Sequence, residues 1–407
     1  MIESKSTHWK REIALYLLSQ STTVFGSSVV SFAIVWHITL MTSSSVMLTI
    51  SILCTFIPKI LISIPIGVFA DRYDRKVIII LGDAVTAVTT LLLYTALTIW
   101  GDLLIIIFAA SILRSIGAGM QEPVQKAFLP YICPKEKLAK INGLNSAINS
   151  AMQLLAPGVG GVLLATVGLA TSMLADTVTA LIAITFLLLL KVKHESFRVK
   201  TSNPNKKFRQ FVDDFKNGVT FLKNTQVLSR ILVFYFLFYF IMAIPGFLTP
   251  ILIERTFGGY VWMLTLNEVF WFSGTLLGGG VMFFWGGFKS RLKTMILSSS
   301  LFGIFVIFMG ISSHFYVYLL AMSMAGMAIP VFTASNTLLI QENVPADLLG
   351  RIFANIEVLS ALAMPAGMLI FGPMGDVFSI ESLLIFSGTC FVIVSLLILR
   401  VYKTTKC

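Results

Sequence analysis

The sequence predicts an all-α membrane protein with twelve transmembrane helices in two parallel six-helix repeats. Of its 407 residues, 57% are hydrophobic and only 12% are charged, whereas a soluble globular domain has about 25% charged residues. The apolar residues form long runs and not the alternating pattern of an outer-membrane barrel. Because a transmembrane helix uses about 20 residues, the chain has room for about a dozen spans and for no sizeable soluble domain.

Twelve apolar runs define the predicted spans, and the longest connection between them divides the chain into two halves. The spans lie at 13–40, 46–70, 77–99, 103–124, 142–166, 170–190, 228–252, 261–285, 294–312, 315–339, 352–373 and 382–400. We expect an N-terminal six-helix bundle at 1–190, a cytoplasmic linker at 191–227 and a C-terminal six-helix bundle at 228–407. Apolar residues recur at helical spacing in the second part of the linker, which predicts an amphipathic helix at the inner membrane surface.

The basic residues predict how the chain is oriented in the membrane. The formal net charge is +11, and the clusters of Lys and Arg all fall on one side of the predicted spans, with only Arg255 expected on the other. The positive-inside rule then places both termini in the cytoplasm. Since this charge lies between apolar runs and not on one face, we expect no binding to nucleic acid.

The sequence shows no pattern for a metal site, a cofactor or a catalytic centre. Its four cysteines and four histidines lack the spacing of metal ligands or of a disulfide framework. There is no nucleotide-binding loop and no Ser-His-Asp arrangement in a supporting context. We therefore expect no metal, no cofactor and no enzymatic activity.

Three short patterns recur in the same order in both halves. Gly119–Val124 recurs as Gly326–Val331, Pro134–Ile141 as Pro345–Ile352, and Pro157-Gly158 as Pro365-Ala366-Gly367, with offsets of 207, 211 and 208 residues. Because each offset contains six crossings, the two repeats have the same orientation in the membrane. This organisation is typical of a transporter with two bundles and a central cavity between them.

The loop after the second span carries a recognisable signature. Gly67 is followed by the pair Asp71-Arg72 and by the pair Arg75-Lys76. This spacing resembles the loop 2–3 signature of the major facilitator superfamily, with Asp74 in place of the usual second glycine, a variant of its macrolide-efflux-type branch.

The resemblance implies a gating role for this loop. Asp71 would cap the helix that begins near Arg351, and the basic residues Arg72, Arg75 and Lys76 would hold the inner side shut in the outward-facing state. The alternative is a charged loop that only orients the protein.

Two further motifs are similar to those of the family. Arg114 in the fourth span resembles its buried arginine, and because an arginine at mid-membrane costs about 2.5–3.5 kcal/mol, it must face a cavity or a partner. We favour a proton-relay or gating role over a purely structural ion pair.

The fifth span resembles an antiporter motif through Ala156, Pro157, Gly160 and Gly161, although Ala156 and Met152 replace usual glycines. Non-specific helix packing is the alternative reading of those small residues.

Buried ionisable residues are the candidates for proton coupling, because a carboxylate withdrawn from water can bind and release protons near neutral pH. The candidates are Glu268, Glu357, Arg114 and Asp176. In the family, spans 1, 4, 7 and 10 line the cavity, spans 2, 5, 8 and 11 flank it, and spans 3, 6, 9 and 12 lie outside. This arrangement favours Glu268, Glu357, Arg114 and Lys59 over Asp176 and Asp83.

Aromatic residues in spans 7 and 8 provide candidates for the wall of a substrate cavity. These are Tyr235, Tyr239 and Trp271, although half of any such aromatic run faces lipid. Lys59 is a fourth cavity candidate, which either neutralises a nearby carboxylate or extends along its own aliphatic stem to water. The glycines at 278–280 favour close helix packing.

The resemblance covers essentially the whole chain and is closest to macrolide-efflux exporters of Gram-positive bacteria. It implies a multi-pass protein of the bacterial cytoplasmic membrane that expels hydrophobic, macrolide-like drugs in exchange for protons and so confers antibiotic resistance. Family members are mostly monomeric, and some drug exporters act with an ATP-driven partner. The alternatives are export of an endogenous metabolite, siderophore or lipid-like molecule and, more remotely, a non-transporting sensor or a membrane-embedded enzyme.

Overall fold

All regular structure in the described residues is helical. The computed structural model describes residues 9–69, 74–191, 226–345 and 348–404. Its long helices are α1 (Trp9–Thr42), α2 (Ser45–Phe69), α3 (Arg75–Trp100), α4 (Leu104–Ile132), α5 (Leu138–Leu189), α6 (Gln226–Phe247), α7 (Val261–Trp285), α8 (Arg291–Ile311), α9 (Phe315–Asn343), α10 (Leu349–Val377) and α11 (Ile380–Thr404). The prediction of an all-α membrane protein is confirmed.

The helices account for the twelve predicted crossings. Ten helical segments of the described chain are long and apolar enough to cross a membrane. One of them lies in α5, whose 52 residues contain a break at Gly168, where φ is 75° and ψ is 176°. Only glycine adopts such a conformation readily, so Gly168 separates two arms of α5 at the predicted boundary between spans 5 and 6. The further helix α7 has 25 residues and corresponds to predicted span 8.

The seventh predicted span is less regular than a single helix. After α6 the chain continues through a short helix, Thr249–Leu252, and a π-helical turn, Ile253–Phe257. Pro245 lies near the end of α6 and Pro250 lies in the short helix. A proline lacks the N–H that an uninterrupted helix needs.

The chain divides into two compact units. Unit 1 takes the described residues within Met1–Met41 and Ile50–Ser202, and unit 2 takes those within Thr42–Thr49 and Asn203–Cys407. The predicted domain boundaries around the linker stay predictions, because almost all of 191–227, with the expected amphipathic helix, lies outside the described residues.

Each unit buries its own apolar core. Unit 1 packs Tyr16, Ile79, Phe128 and Leu187 together. In unit 2 the aromatic run of α6 supplies the core, since Phe234 and Phe238 are each 1% exposed. The ring of Phe238 stacks on that of Phe332 with 3.8 Å between centroids. These two phenylalanines therefore face protein, while the tyrosines of the same run are half-buried.

Small residues allow α7 and α9 to approach each other closely in unit 2. A Cβ at Gly274 would collide with the backbone of Ser323, and a Cβ at Gly278 with the carbonyl oxygen of Met327. At Gly280, in contrast, a Cβ would have nothing within 4 Å. Of the three consecutive glycines, the first thus belongs to the helix interface and the third does not.

We expect Gly278→Ala to lower the stability of the protein by about 1–3 kcal/mol, because forcing a methyl group into a packed backbone contact strains both helices. Thermal unfolding of the purified protein in detergent measures this loss. Gly280→Ala is the matched control, and we expect it to unfold at the wild-type temperature or above it, since alanine favours the helix. Equal unfolding temperatures for the two variants would contradict the assigned interface.

Candidate functional site

A buried ion pair lies inside unit 1. Nη2 of Arg114, on α4, lies 2.8 Å from Oδ2 of Asp176, on the second arm of α5, and Nε of the same arginine lies 3.2 Å from that oxygen. The side chains are 9% and 2% exposed. The structure therefore identifies Asp176 as the partner of Arg114, although the placement of span 6 outside the cavity had disfavoured Asp176 as a candidate.

The ion pair joins four helices. Asp176 also accepts hydrogen bonds from the hydroxyl of Ser27, on α1, at 3.1 Å and from that of Thr90, on α3, at 3.2 Å. Arg114 donates a further bond to the backbone carbonyl of Ser27 at 3.4 Å. Polar partners are thus supplied from every side, which is the condition for a buried charge to be tolerated.

A second buried carboxylate, Asp83, lies in the same unit and is 1% exposed. Its Oδ1 accepts hydrogen bonds from Nε2 of Gln121 at 2.7 Å and from the hydroxyl of Thr23 at 3.0 Å. Its Oδ2 has no hydrogen-bond partner among the described residues. Asp83 can therefore take up a proton on Oδ2 without the loss of an ion pair.

A cavity of about 740 Å³ opens beside this network, within the range of about 300–1,000 Å³ that is typical of small-molecule sites. Its wall includes hydroxyl and carboxamide groups from α1, α4 and α5: Gln20, Ser27, Ser28, Ser31, Gln125, Asn142, Asn145, Asn149 and Gln153. Nε2 of Gln20 and Oδ1 of Asn149 are buried and lack hydrogen-bond partners in the described part of the chain. A bound ligand could satisfy this donor and this acceptor.

A smaller cavity of about 230 Å³ lies beside the larger one and shares lining residues with it. Arg114 and Gln121 line the small cavity, and Ser27, Ser31 and Thr55 line both. The sequence predicts that Arg114 faces a cavity or a partner, and in the structure it has a partner in Asp176 and also lines a cavity. Ser27 is part of the cavity wall and of the ion-pair network at once.

A second ion pair lies on the wall of the larger cavity. Nζ of Lys59 is 2.5 Å from Oε1 of Glu122, and the two side chains are 33% and 49% exposed. A Cβ at Gly119 would lie 2.7 Å from the carbonyl oxygen of Lys59, so α2 and α4 approach closely just where they carry these charges. Of the two roles considered for Lys59, the geometry matches neutralisation of a carboxylate.

Most residues of the cavity wall were not predicted from the sequence, because the candidates were chosen among ionisable and aromatic side chains. Asn142, Asn145, Asn149 and Gln153 are separated by three, four and four residues, which places them on one face of a helix. A stripe of carboxamides within an apolar span was the signal that could have identified this face.

The loop 2–3 motif is described only in part. Asp71 and Arg72 lie outside the described residues, and Gly67 is placed only as part of α2. Nη1 of Arg75 donates to the carbonyl of Ala127 at 2.9 Å, and Nζ of Lys76 donates to that of Leu190 at 2.9 Å. Both basic residues thus bind carbonyls at the ends of helices in unit 1, where positive charge is favourable.

The departure of this motif from the family pattern has a local explanation. Asp74 adopts an extended backbone with φ −62° and ψ 115°, and its carboxylate accepts a hydrogen bond from the N–H of Lys76 at 2.9 Å. This geometry is that of a helix N-cap and does not require glycine.

The antiporter-type motif lies where α5 packs on α1. Ala156, Pro157, Gly160 and Gly161 are buried, and a Cβ at Gly160 would lie 2.9 Å from the carbonyl oxygen of Val29. The motif therefore provides close helix contact next to the cavity.

The remaining candidates lie in unit 2. Glu268 is partly buried and accepts a hydrogen bond from Asn267 at 3.2 Å, while Asn267 accepts one from the hydroxyl of Tyr318 at 2.7 Å. Tyr235 and Tyr239 contact each other with 4.8 Å between ring centroids. Trp271 is partly buried on α7. For Glu357 only the backbone, within α10, is described.

The described residues show no group of three or more His, Cys, Asp or Glu side chains placed to hold a metal ion.

Comparisons with known proteins identify a family and several relatives. The sequence model of the Major Facilitator Superfamily matches residues 16–368. The chain is 25% identical to Macrolide efflux protein A of Streptococcus pyogenes, with 96% of each chain covered. It is 27% identical to Macrolide efflux protein A of Enterococcus faecalis, with 80% of this chain and 99% of the relative covered. It is 26% identical to the Staphyloferrin A transporter of Staphylococcus aureus, with 90% of each chain covered.

Solved structures share the fold at much lower identity. A POT family transporter in complex with a thioalcohol conjugated peptide superposes with a TM-score of 0.75 at 11% identity, covering 97% of this chain and 96% of that one. The D-xylose-proton symporter superposes with a TM-score of 0.71 at 15% identity, covering 94% and 96%. The predicted fold class is confirmed.

We expect the loss of either partner of the buried ion pair to be more harmful than the loss of both. Asp176→Asn or Arg114→Gln alone leaves an uncompensated charge, which costs about 3–5 kcal/mol, whereas the double variant leaves two neutral groups. Thermal unfolding in detergent of the two single variants and of the double variant measures the coupling between the two residues. Additive losses in the double variant would contradict a direct interaction.

Proposed function

The chain belongs to the Major Facilitator Superfamily and is a multi-pass membrane transporter rather than an enzyme, and from this premise we propose that it exports hydrophobic, macrolide-like drugs in exchange for protons. The support is the similarity over 96% of each chain to a macrolide efflux protein. We further propose that it lies in the bacterial cytoplasmic membrane as a monomer with both termini in the cytoplasm, as the distribution of basic residues suggests.

The polar cavity of unit 1 supports this substrate class. A macrolide-like compound combines an apolar body with many oxygens and an amine. The unpartnered groups of Gln20 and Asn149 suit its oxygens and hydroxyls, and Glu122 suits its ammonium group. Because an ion pair at a partly exposed site contributes only about 0–1 kcal/mol, Lys59 can give up Glu122 to a cationic ligand at little cost.

The carboxylates of unit 1 suit proton coupling. Protonation of Asp176 would remove the charge that Arg114 neutralises and weaken the bonds to Ser27 and Thr90. Because Ser27 also lines the cavity, a proton at Asp176 alters the surface that the substrate contacts. Glu268 and Glu357 are the corresponding proposals in unit 2, and Asp71 with its basic neighbours remains the proposed inner gate.

The proton gradient supplies enough free energy for export. One proton provides about 2.3 kcal/mol per 100 mV and about 1.4 kcal/mol per pH unit, or roughly 3.7 kcal/mol together. This corresponds to a concentration ratio of about 500-fold for a neutral solute. A monovalent cation exchanged one for one experiences only the pH gradient, which gives about tenfold.

A second candidate function is the transport of a polar, anionic metabolite. Lys59 and Lys126 line the cavity, and Glu122 is the one carboxylate among its described lining residues, so the formal charge of these residues favours an anion. The similarity to a Staphyloferrin A transporter over 90% of each chain also favours this candidate.

We expect the protein to lower the accumulation of a radiolabelled macrolide in a susceptible Gram-positive host, and a protonophore to abolish the difference. Among Asp176→Asn, Glu268→Gln and Glu357→Gln, at least one should lose the protonophore-sensitive efflux. Glu342→Gln is the control, because Glu342 is a surface residue paired with Arg291. Full protonophore-sensitive efflux in all three variants would exclude these carboxylates from coupling.

The two candidate functions differ in which charge of the cavity they need. Export of an amine-bearing drug uses the charge of Glu122, so Glu122→Gln should reduce efflux by up to about fivefold, which corresponds to about 1 kcal/mol for an ion pair at a partly exposed site, and Lys59→Gln should preserve or increase it. Transport of an anionic metabolite would produce the reverse order. Efflux rates of the two variants, measured at equal amounts of protein in the membrane, decide between them.

A further inference from the structure

A groove separate from the cavity lies between the beginning of α1 and the beginning of α5. Its volume is about 430 Å³, and it has two parts. Three lysines, Lys10, Lys137 and Lys140, lie around it together with Trp9, and an apolar strip is formed by Ile13, Ala14, Leu17, Ile141 and Leu144. We propose that this groove binds an anionic phospholipid, with the phosphate at the lysines and an acyl chain along the strip.

The lysines provide a positive site that their surroundings do not neutralise. All three are exposed, and none forms an ion pair with another described residue. Among the described residues, the acids next to these lysines in sequence are Glu12, which is buried and accepts a hydrogen bond from the N–H of Lys191 at 3.0 Å, and Glu136, which is exposed. A phosphodiester is the chemical group that complements such a cluster.

The apolar part of the groove distinguishes a lipid from a free phosphate. Ile13 and Leu17 are buried and form its floor, while Leu144 is 48% exposed at its edge. Nζ of Lys10 lies 5.8 Å from the centre of the Trp9 ring, and an aromatic side chain beside a basic one is common at a membrane interface. An inorganic anion would make no contact with this apolar strip.

Orientation of the chain alone does not explain this arrangement. Any lysine on the inner side serves the positive-inside rule, as Lys289 and Lys293 do in unit 2. That rule does not require three lysines to converge on one groove. Helix stability does not explain them either, because Lys137 and Lys140 lie at the N-terminus of α5, where positive charge opposes the helix dipole.

The groove and the cavity share the first turns of α5. Lys140, Ile141 and Leu144 line the groove, whereas Asn142 and Asn145 line the cavity. A lipid that ties α1 to α5 on one side therefore stabilises the wall that presents the carboxamides on the other. The predicted orientation places the groove in the cytoplasmic leaflet, where anionic lipids give a negative surface potential.

Native mass spectrometry of the purified full-length protein tests the proposal, with dioleoyl-phosphatidylglycerol, dioleoyl-phosphatidylcholine, glycerol 1-phosphate and inorganic phosphate as separate probes. We expect phosphatidylglycerol to bind at least tenfold more tightly than the other three. The variant K10Q/K137Q/K140Q should lose this preference, and the control K289Q/K293Q should keep it.

A second variant distinguishes the loss of lipid binding from a defect in membrane insertion or folding that the lysine substitutions could cause. Leu144→Asn keeps every charge and should weaken phosphatidylglycerol binding while leaving inorganic phosphate unchanged. Equal binding of phosphatidylcholine, equal binding of free phosphate, or an unchanged preference in the triple-lysine variant would each overturn the proposal. Because the measurement involves no transport, its failure is distinguishable from failure of the proposed export activity.

Discussion

The pair of Arg114 and Asp176 is the constraint on which the arrangement of unit 1 depends. A charge buried within a membrane span is costly unless it is paired and hydrogen-bonded, and these two side chains are 9% and 2% exposed. Their bonds to Ser27 and Thr90 then fix how α1, α3, α4 and α5 pack against one another. The hydroxyl groups of Ser27 and Thr90 in these apolar helices are therefore explained by the ion pair.

The position of the cavity suggests a use for the ion pair. Ser27 lines the cavity and also donates a hydrogen bond to Asp176, so a change in the contacts of Ser27 at one of these sites alters its contacts at the other. Any such coupling acts in both directions, because a proton that alters substrate affinity must have its own affinity altered by substrate to the same extent. Exchange transport requires this reciprocity, and a short path through one serine is a physical basis for it.

The fold could be predicted from the sequence because hydrophobic runs and glycine breaks are local signals. The break at Gly168 falls between two predicted spans, and the position of Arg114 in an apolar run demanded a partner. The identity of that partner could not be predicted, since Asp176 is 62 residues away and the family arrangement favoured other carboxylates. The cavity wall was missed for a different reason: Asn and Gln carry no charge, so their helical stripe on α5 is weaker than a buried ionisable residue as a signal of function.

Helix α5 brings these separate features into one mechanical element. Its first turns present lysines to a groove and asparagines to the cavity, its middle packs Gly160 against α1, and its second arm, beyond the break at Gly168, carries Asp176. A rigid helix transmits a displacement along its length, whereas the positive φ of Gly168 interrupts the helix between the two arms. The first arm lines the cavity, and the second arm carries the buried charge. The break at Gly168 therefore separates the part of α5 that would contact a substrate in the proposed exporter from the part that holds the ion pair, where an uncompensated charge would be costly.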